Sequence, residues 1–103
     1  MHYYRYDKER VFNLDETLYS ISYRVNELYP FNILLHKNPD KPLNGFIVTM
    51  TKKVYKQYGI RIIHEIFRYF KEELNMKAAL KFEKRKKPFF AKEMYLYYSI
   101  KIN

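Results

Sequence analysis

The sequence has no cysteine and no tryptophan, and only two of its 103 residues are glycine. Without cysteine the chain can form no disulfide, no thiolate metal site and no cysteine nucleophile. The lack of disulfides fits an intracellular protein, so the sequence predicts a cytoplasmic location. No apolar run approaches the roughly 20 residues that span a bilayer, and the first residues lack the apolar core of a signal peptide. We therefore expect no membrane partner.

Motifs that carry enzyme chemistry are also missing. The chain has no glycine-rich phosphate loop, no nucleophile elbow and no paired-carboxylate motif. Its three histidines, His2, His36 and His64, are scattered, and none has a second ligand at metal spacing. The sequence thus predicts a non-enzymatic protein with no metal or cofactor. A small metal-independent ribonuclease needs only a few His, Arg, Lys, Tyr or Glu side chains and stays as an alternative.

Apolar and aromatic residues, by contrast, are plentiful. Residues with apolar side chains make up 48% of the chain, and it contains twelve tyrosines and eight phenylalanines. This content is sufficient for one hydrophobic core, and 103 residues are too few for two. We therefore predict a single folded domain over residues 1–103.

Positive charge is concentrated in one half of the sequence. Residues 1–50 contain six Lys/Arg and six Asp/Glu, whereas residues 51–103 contain fourteen Lys/Arg and five Asp/Glu. The whole net charge of +9 therefore belongs to the second half. Such an asymmetry indicates contact with nucleic acid or another polyanion.

The first half of the sequence contains one segment that fits either a helix or a strand, followed by two segments that fit strands. Apolar residues at helical spacing predict a helix over 14–29, capped by Asp15 and ended by Tyr29-Pro30. The strand-forming residues 18–25 leave a strand as the alternative. Further along, 31–36 and 46–50 predict two antiparallel strands, joined by a loop over 37–45 that contains two prolines and Asn44-Gly45.

The second half begins with a helical pattern. We predict a short helix over 52–58, capped by Thr51 and broken at Gly59, then a longer helix over 60–74 that stops at Asn75. Five residues of the longer helix form an apolar stripe: Ile63, Ile66, Phe67, Phe70 and Leu74. Charges of alternating sign occupy its opposite face: Arg61, Glu65, Arg68 and Glu72.

The last quarter of the chain predicts a β-hairpin over 76–102. The pattern predicts strands over 78–83 and 94–102. Between them lies a cationic tip, residues 84–87, which is followed by Phe89 and Phe90. Together with an edge strand over 3–6, the pattern indicates an α+β fold: an antiparallel sheet, two or three helices and a C-terminal basic hairpin. A helix followed by a basic hairpin also resembles, in outline only, the winged-helix architecture, which is the alternative fold.

The candidate binding residues combine cations with nearby aromatic rings. Lysine and arginine can neutralise phosphates, and aromatic side chains can stack on bases. Tyr95 and Tyr97 share one face of the last strand with Ser99 and Lys101, whereas Leu96, Tyr98, Ile100 and Ile102 share the core face. The predicted site consists of Lys52, Lys53, Lys56, Lys81, Lys84, Arg85, Lys86, Lys87, Phe89, Phe90, Lys92, Tyr95 and Tyr97. The competing explanation is that lysines only keep an exposed hairpin from edge-to-edge association.

Two non-enzymatic functions follow from this pattern. The first is a small basic protein that binds DNA or RNA through phosphates, using its C-terminal half. The second is an anti-CRISPR-like inhibitor, of phage or mobile-element origin, that binds a host nucleic-acid-processing protein or ribonucleoprotein. The sign of the charge excludes mimicry of DNA, because a protein with a net charge of +9 cannot imitate phosphates.

Overall fold

The computed structural model describes residues 13–74, 78–87 and 91–102. These form two helices, α1 (Leu14–Leu28) and α2 (Lys52–Leu74), and one four-stranded sheet. The strands are β1 (Leu34–Lys37), β2 (Gly45–Thr51), β3 (Ala78–Lys86) and β4 (Glu93–Ile102). The sheet order is β1-β2-β4-β3, and all neighbouring strands are antiparallel. The predicted α+β fold with a C-terminal hairpin is confirmed, whereas the winged-helix alternative is wrong, because two strands separate α1 from α2.

The first segment is a helix, as the apolar spacing predicted. Its buried apolar side chains are Leu14, Leu18, Ile21 and Val25, and the helix ends at Tyr29. The strand alternative fails because this spacing puts four large apolar residues on one helical face. Its cap, however, is Asn13 and not Asp15: the Asn13 side chain accepts a hydrogen bond from the Glu16 N–H at 3.1 Å.

Strand β1 begins three residues later than the sequence indicates. Asn32 has a positive φ of 59°, which is incompatible with an extended strand. The Asn26 side chain of α1 then forms hydrogen bonds with the backbone N–H and C=O of Ile33, at 2.8 and 2.6 Å. Because a side chain satisfies these groups, Ile33 joins the core without joining the sheet.

Helix α2 is continuous through Gly59, so the predicted break into two helices is wrong. The Thr51 hydroxyl accepts a hydrogen bond from the Val54 N–H at 3.1 Å, as expected for a cap. A glycine lowers helix stability by about 1 kcal/mol, which the packing of a 23-residue helix overrides. Position 59 requires a residue without a side chain, because a Cβ there would lie 2.7 Å from Cδ1 of Tyr55.

Both helices pack on the same face of the sheet. The core joins the buried sides of α1 and α2 to alternate residues of the strands, including Leu35, Phe46, Val48, Leu96 and Tyr98. The intervening strand residues project to the opposite side, which neither helix covers. We call this second side the open face. The predicted division of β4 is confirmed, since Leu96, Tyr98 and Ile100 are buried and Tyr95, Tyr97 and Ser99 are on the open face.

Strand β3 is longer than predicted and extends through Lys86. The cations from Lys81 to Lys86 therefore belong to β3 and not to the tip of the hairpin. The predicted strand over 3–6, the stop at Asn75 and the turn at Phe89 and Phe90 lie outside the described residues. Within the residues that are described, neither helix is long and apolar enough to cross a membrane.

Candidate nucleic-acid interface

Lysines of β3 and tyrosines of β4 lie side by side on the open face. In the strand register, Lys84 is opposite Tyr97, Lys86 is opposite Tyr95 and Lys81 is opposite Ser99. Opposite residues in neighbouring strands project to the same side of a sheet. Alternate residues of one strand are about 7 Å apart, and neighbouring strands are about 5 Å apart. The face thus has a row of ammonium groups at its edge and a row of tyrosines beside it.

A β-bulge between Phe82 and Lys84 produces this alignment. Phe82 is opposite Tyr98 on the core side, so strict alternation would return Lys84 to the core side as well. Two residues, Glu83 and Lys84, instead correspond to one residue of β4, and the pattern shifts by one. Lys84 and Lys86 consequently share the open face with Lys81, whereas Arg85 projects toward α2.

The two tyrosines are half-buried, which leaves part of each ring accessible. The Lys84 ammonium lies 5.3 Å from the centroid of the Tyr97 ring, within cation–π distance. The Tyr95 hydroxyl donates a hydrogen bond to the Glu93 carboxylate at 3.1 Å. This bond favours the protonated hydroxyl and raises the pKa of Tyr95 above its usual value. Both side chains are therefore held by a neighbour.

Residues of β2 lie beside the two tyrosines in the middle of the open face. Ile47 lies opposite Tyr97, and Thr49 lies opposite Tyr95. Both are buried, at 6% and 5% exposure. Nε2 of His36 on β1 lies 3.2 Å from the Thr49 hydroxyl. The exposed polar groups of this face therefore extend from β3 to β1.

Positive charge on the open face is not neutralised by the acids that the structure describes. Asp15 pairs with Lys37 at 3.0 Å, and Glu83 pairs with Lys41. The acids of α2 pair with Arg24 and Arg68, and the Arg24 hydrogen bond lowers the pKa of Glu72. Among the described residues, no ion pair involves the lysines of the open face, Lys81, Lys84, Lys86 and Lys101.

The predicted site residues fall into two groups on opposite sides of the sheet. The open face carries Lys81, Lys84, Lys86, Tyr95 and Tyr97. The helix side carries Arg85, whose guanidinium carbon lies 5.5 Å from the Tyr55 ring centroid. Also on that side, a cavity at the start of α2 is lined in part by Lys52, Lys56 and Lys87.

Two further predicted residues, Lys53 and Lys92, do not join either group closely. Lys53 and Lys92 are exposed near the junction of β2, α2 and β4, where the Lys52 N–H donates to the Lys92 carbonyl at 2.7 Å. Phe89 and Phe90 lie outside the described residues. Sequence reasoning omitted His36 and Thr49, which join the open face through strand register. It also omitted Lys101, although strand alternation places this lysine with Tyr95 and Tyr97.

The described residues contain no cluster of three or more His, Cys, Asp or Glu side chains that could hold a metal ion. The open face carries ammonium groups, phenol rings and hydroxyls, together with the Glu93 carboxylate that accepts the Tyr95 hydrogen bond. The ammonium groups, phenol rings and hydroxyls bind anions and flat rings. Comparison with protein-family models, curated proteins and solved structures finds no match for this chain.

Proposed function

We propose that this protein binds single-stranded nucleic acid on the open face of its sheet, without catalysing a reaction. The observation that supports the proposal is the row of Lys81, Lys84 and Lys86 beside the row of Tyr95 and Tyr97. In this arrangement the sugar-phosphate backbone follows β3 at the edge of the sheet. The bases extend inward over the tyrosines of β4.

The lysines and the tyrosines contribute to the free energy of binding in different ways. Neutralising phosphates releases counterions, so the lysines supply affinity that decreases with salt. Stacking a base on an aromatic ring contributes about 1–3 kcal/mol and depends little on the base. Binding should therefore be sensitive to salt and largely independent of sequence.

The shape of the molecule favours a single strand over a duplex. Reading a duplex in the major groove requires a protruding helix with exposed polar side chains. One side of α2 is buried in the core, and its acids Glu72 and Glu73 form ion pairs with Arg24 of α1. Such a helix cannot enter a groove lined with phosphates. A flat face with accessible rings, by contrast, needs unpaired bases for stacking.

The test compares two variants that lose equal charge on opposite sides of the sheet. The open-face triple variant changes Lys81, Lys84 and Lys86 to Gln. The helix-side triple variant changes Lys52, Lys56 and Lys71 to Gln. Fluorescence anisotropy with labelled single-stranded DNA and RNA oligonucleotides should show a large loss of affinity for the first variant and a small one for the second. Equal losses would mean that only net charge matters, and the open face would then have no specific role.

A further inference from the structure

A groove remains open between α2 and β3 on the helix side of the sheet. A cavity of about 290 Å³ lies between Ile60 and Ile63 of α2 and Phe82 and Arg85 of β3. A second cavity of about 250 Å³ lies between Phe67 of α2 and Leu80 of β3. We call the two together the α2–β3 groove. Helix α2 contacts β2, β4 and β3, and these two cavities remain where its side chains do not fill the space along β3.

The floor of the groove is apolar and accessible. Ile60 is 88% exposed and Phe82 is 47% exposed, although both are large apolar residues. Ile63, Phe67 and Leu80 are packed against the core but only partly buried. From residue 55 to residue 74, α2 provides a wall about 28 Å long, since each helical residue rises 1.5 Å. That length matches about five turns of a helix lying beside it.

The charges at the rim of the groove are all positive. One stripe of α2, at steps of three or four residues, faces this side: Lys52, Lys56, Ile60, Ile63, Phe67 and Lys71. Arg85 supplies a cation from the β3 wall. The three acids of α2 are engaged elsewhere, because Glu72 and Glu73 pair with Arg24 of α1 and Glu65 pairs with Arg68. The groove therefore has an apolar centre between cationic edges.

We propose that the α2–β3 groove binds an acidic amphipathic helix of a partner protein. The partner helix would insert large apolar residues at i, i+3 or i+4, and i+7 over Ile60, Ile63, Phe67 and Phe82. Its Asp and Glu residues would face Lys52, Lys56, Lys71 and Arg85. A bound helix also completes the layer of helices on this side of the sheet, burying apolar surface that two helices leave exposed.

Nucleic acid fits this groove less well than a helix does. A strand would place hydrophilic phosphates and sugars against Ile60, Ile63 and Phe67, where they lose water without gaining hydrogen bonds. Two tyrosines line the groove. Tyr98 is buried, and Tyr55 has Gly59 against its ring edge and Arg85 within 5.5 Å of its ring centroid. These neighbours limit the room for a stacked base. The groove is thus distinct from the open face in both chemistry and occupant, and its proposal does not depend on the first.

The probe is a designed peptide of about five helical turns, with Leu at heptad positions and Glu flanking them. One control peptide has the same composition in scrambled order, and a second has Lys in place of Glu. Anisotropy with the full chain should show binding of the acidic amphipathic peptide and at least tenfold weaker binding of both controls. The helix-side triple variant should bind the probe at least tenfold more weakly, whereas the open-face triple variant should stay within about twofold of the wild type.

A separate variant tests the contribution of apolar contacts to peptide binding. Ile60→Ser removes a side chain that is already exposed, so the fold should be retained, which circular dichroism will verify. We expect at least a fivefold loss of peptide affinity. Amide chemical-shift changes on peptide binding should map to α2 and β3 near Ile60 and Phe82, and those caused by an oligonucleotide to Lys84 and Tyr97. Equal binding of the scrambled peptide, peptide shifts on the open face, or a dimer of the chain that excludes the peptide would overturn the proposal.

Discussion

Lys84 and Tyr97 face one another across neighbouring strands, with the ammonium nitrogen 5.3 Å from the ring centroid. Regular alternation from Phe82 would have placed Lys84 on the buried side of the sheet. The bulge at Glu83 brings it to the open face, along with Lys86. In this sequence the bulge therefore decides which cations of β3 lie on the open face.

Deletion of Glu83 tests this account of the bulge. With the extra residue removed, Lys84 follows Phe82 directly and lies opposite Tyr97 in an unbroken ladder. We therefore expect the deletion variant to bind the oligonucleotide with an affinity within about threefold of the wild type. The deletion also removes the ion pair between Glu83 and Lys41, which is exposed enough to contribute little. Backbone chemical shifts will verify the register. A loss as large as that of the open-face triple variant would contradict the assigned register.

Tyr97→Leu tests the contribution of stacking separately from that of charge. Leucine keeps an apolar side chain beside Ile47 of β2 but cannot stack on a base. Affinity for a single strand should decrease by about 1–3 kcal/mol, while its dependence on salt should stay unchanged. Tyr97→Phe keeps the ring and should bind as the wild type does. Tyr19→Leu, on the exposed side of α1, is the matched control and should have no effect.

Gly59 and Tyr55 should be energetically coupled. Gly→Ala inside a helix normally stabilises by about 1 kcal/mol. Here the added methyl group would meet the Tyr55 ring at 2.7 Å, so that gain should be lost or reversed. In a Tyr55→Ala background the normal gain should return. Urea unfolding of the four proteins should give a coupling free energy of at least about 1 kcal/mol, and additive effects would refute the contact.

Burial of Tyr98 predicts a loss of stability at high pH. Its side chain is 4% exposed, and burial raises its pKa to about 12 from an ordinary value of 10. Well below pH 10 the hydroxyl is protonated in both folded and unfolded chains, so it adds no pH dependence there. Between pH 10 and 12 the unfolded chain releases the proton first. Unfolding is thereby favoured by about 1.4 kcal/mol at pH 11.

Tyr98→Phe is the control for this effect, because it removes the ionising group and keeps the ring. Other tyrosines and lysines titrate in both proteins, so the difference between them isolates Tyr98. The free energy of unfolding should decrease more steeply for the wild type than for Tyr98→Phe between pH 9 and 11. Parallel curves would show that Tyr98 ionises freely in the folded chain.

Sequence patterns correctly predicted the elements in which apolar residues recur with a single helical or strand period. Apolar spacing identified α1 and most of α2, and strict alternation divided the residues of β4 correctly between two faces. The break predicted at Gly59 failed because helix propensity is a local quantity, whereas the contact between Tyr55 and Gly59 requires the folded helix. The start of β1 failed for a similar reason, since Asn26 of α1 takes the backbone groups of Ile33.

Only part of the candidate site could be predicted from the sequence. Composition showed that the C-terminal half carries the charge, and this led to the lysines of β3. It could not show that a bulge divides those cations between two faces, because a single extra residue leaves no periodic signal. Nor could it show the α2–β3 groove, which depends on how α2 packs against the sheet. Both features arise from tertiary packing.

The most direct test of the proposed function is the salt dependence of single-strand binding. For single strands, the logarithm of the association constant falls with the logarithm of salt concentration by about 0.7 for each phosphate neutralised. If Lys81, Lys84 and Lys86 each neutralise one phosphate, the open-face triple variant should have a slope smaller by about 2. The helix-side triple variant should keep nearly the whole wild-type slope. A wild-type slope near zero, or one that both variants reduce equally, would contradict binding on the open face.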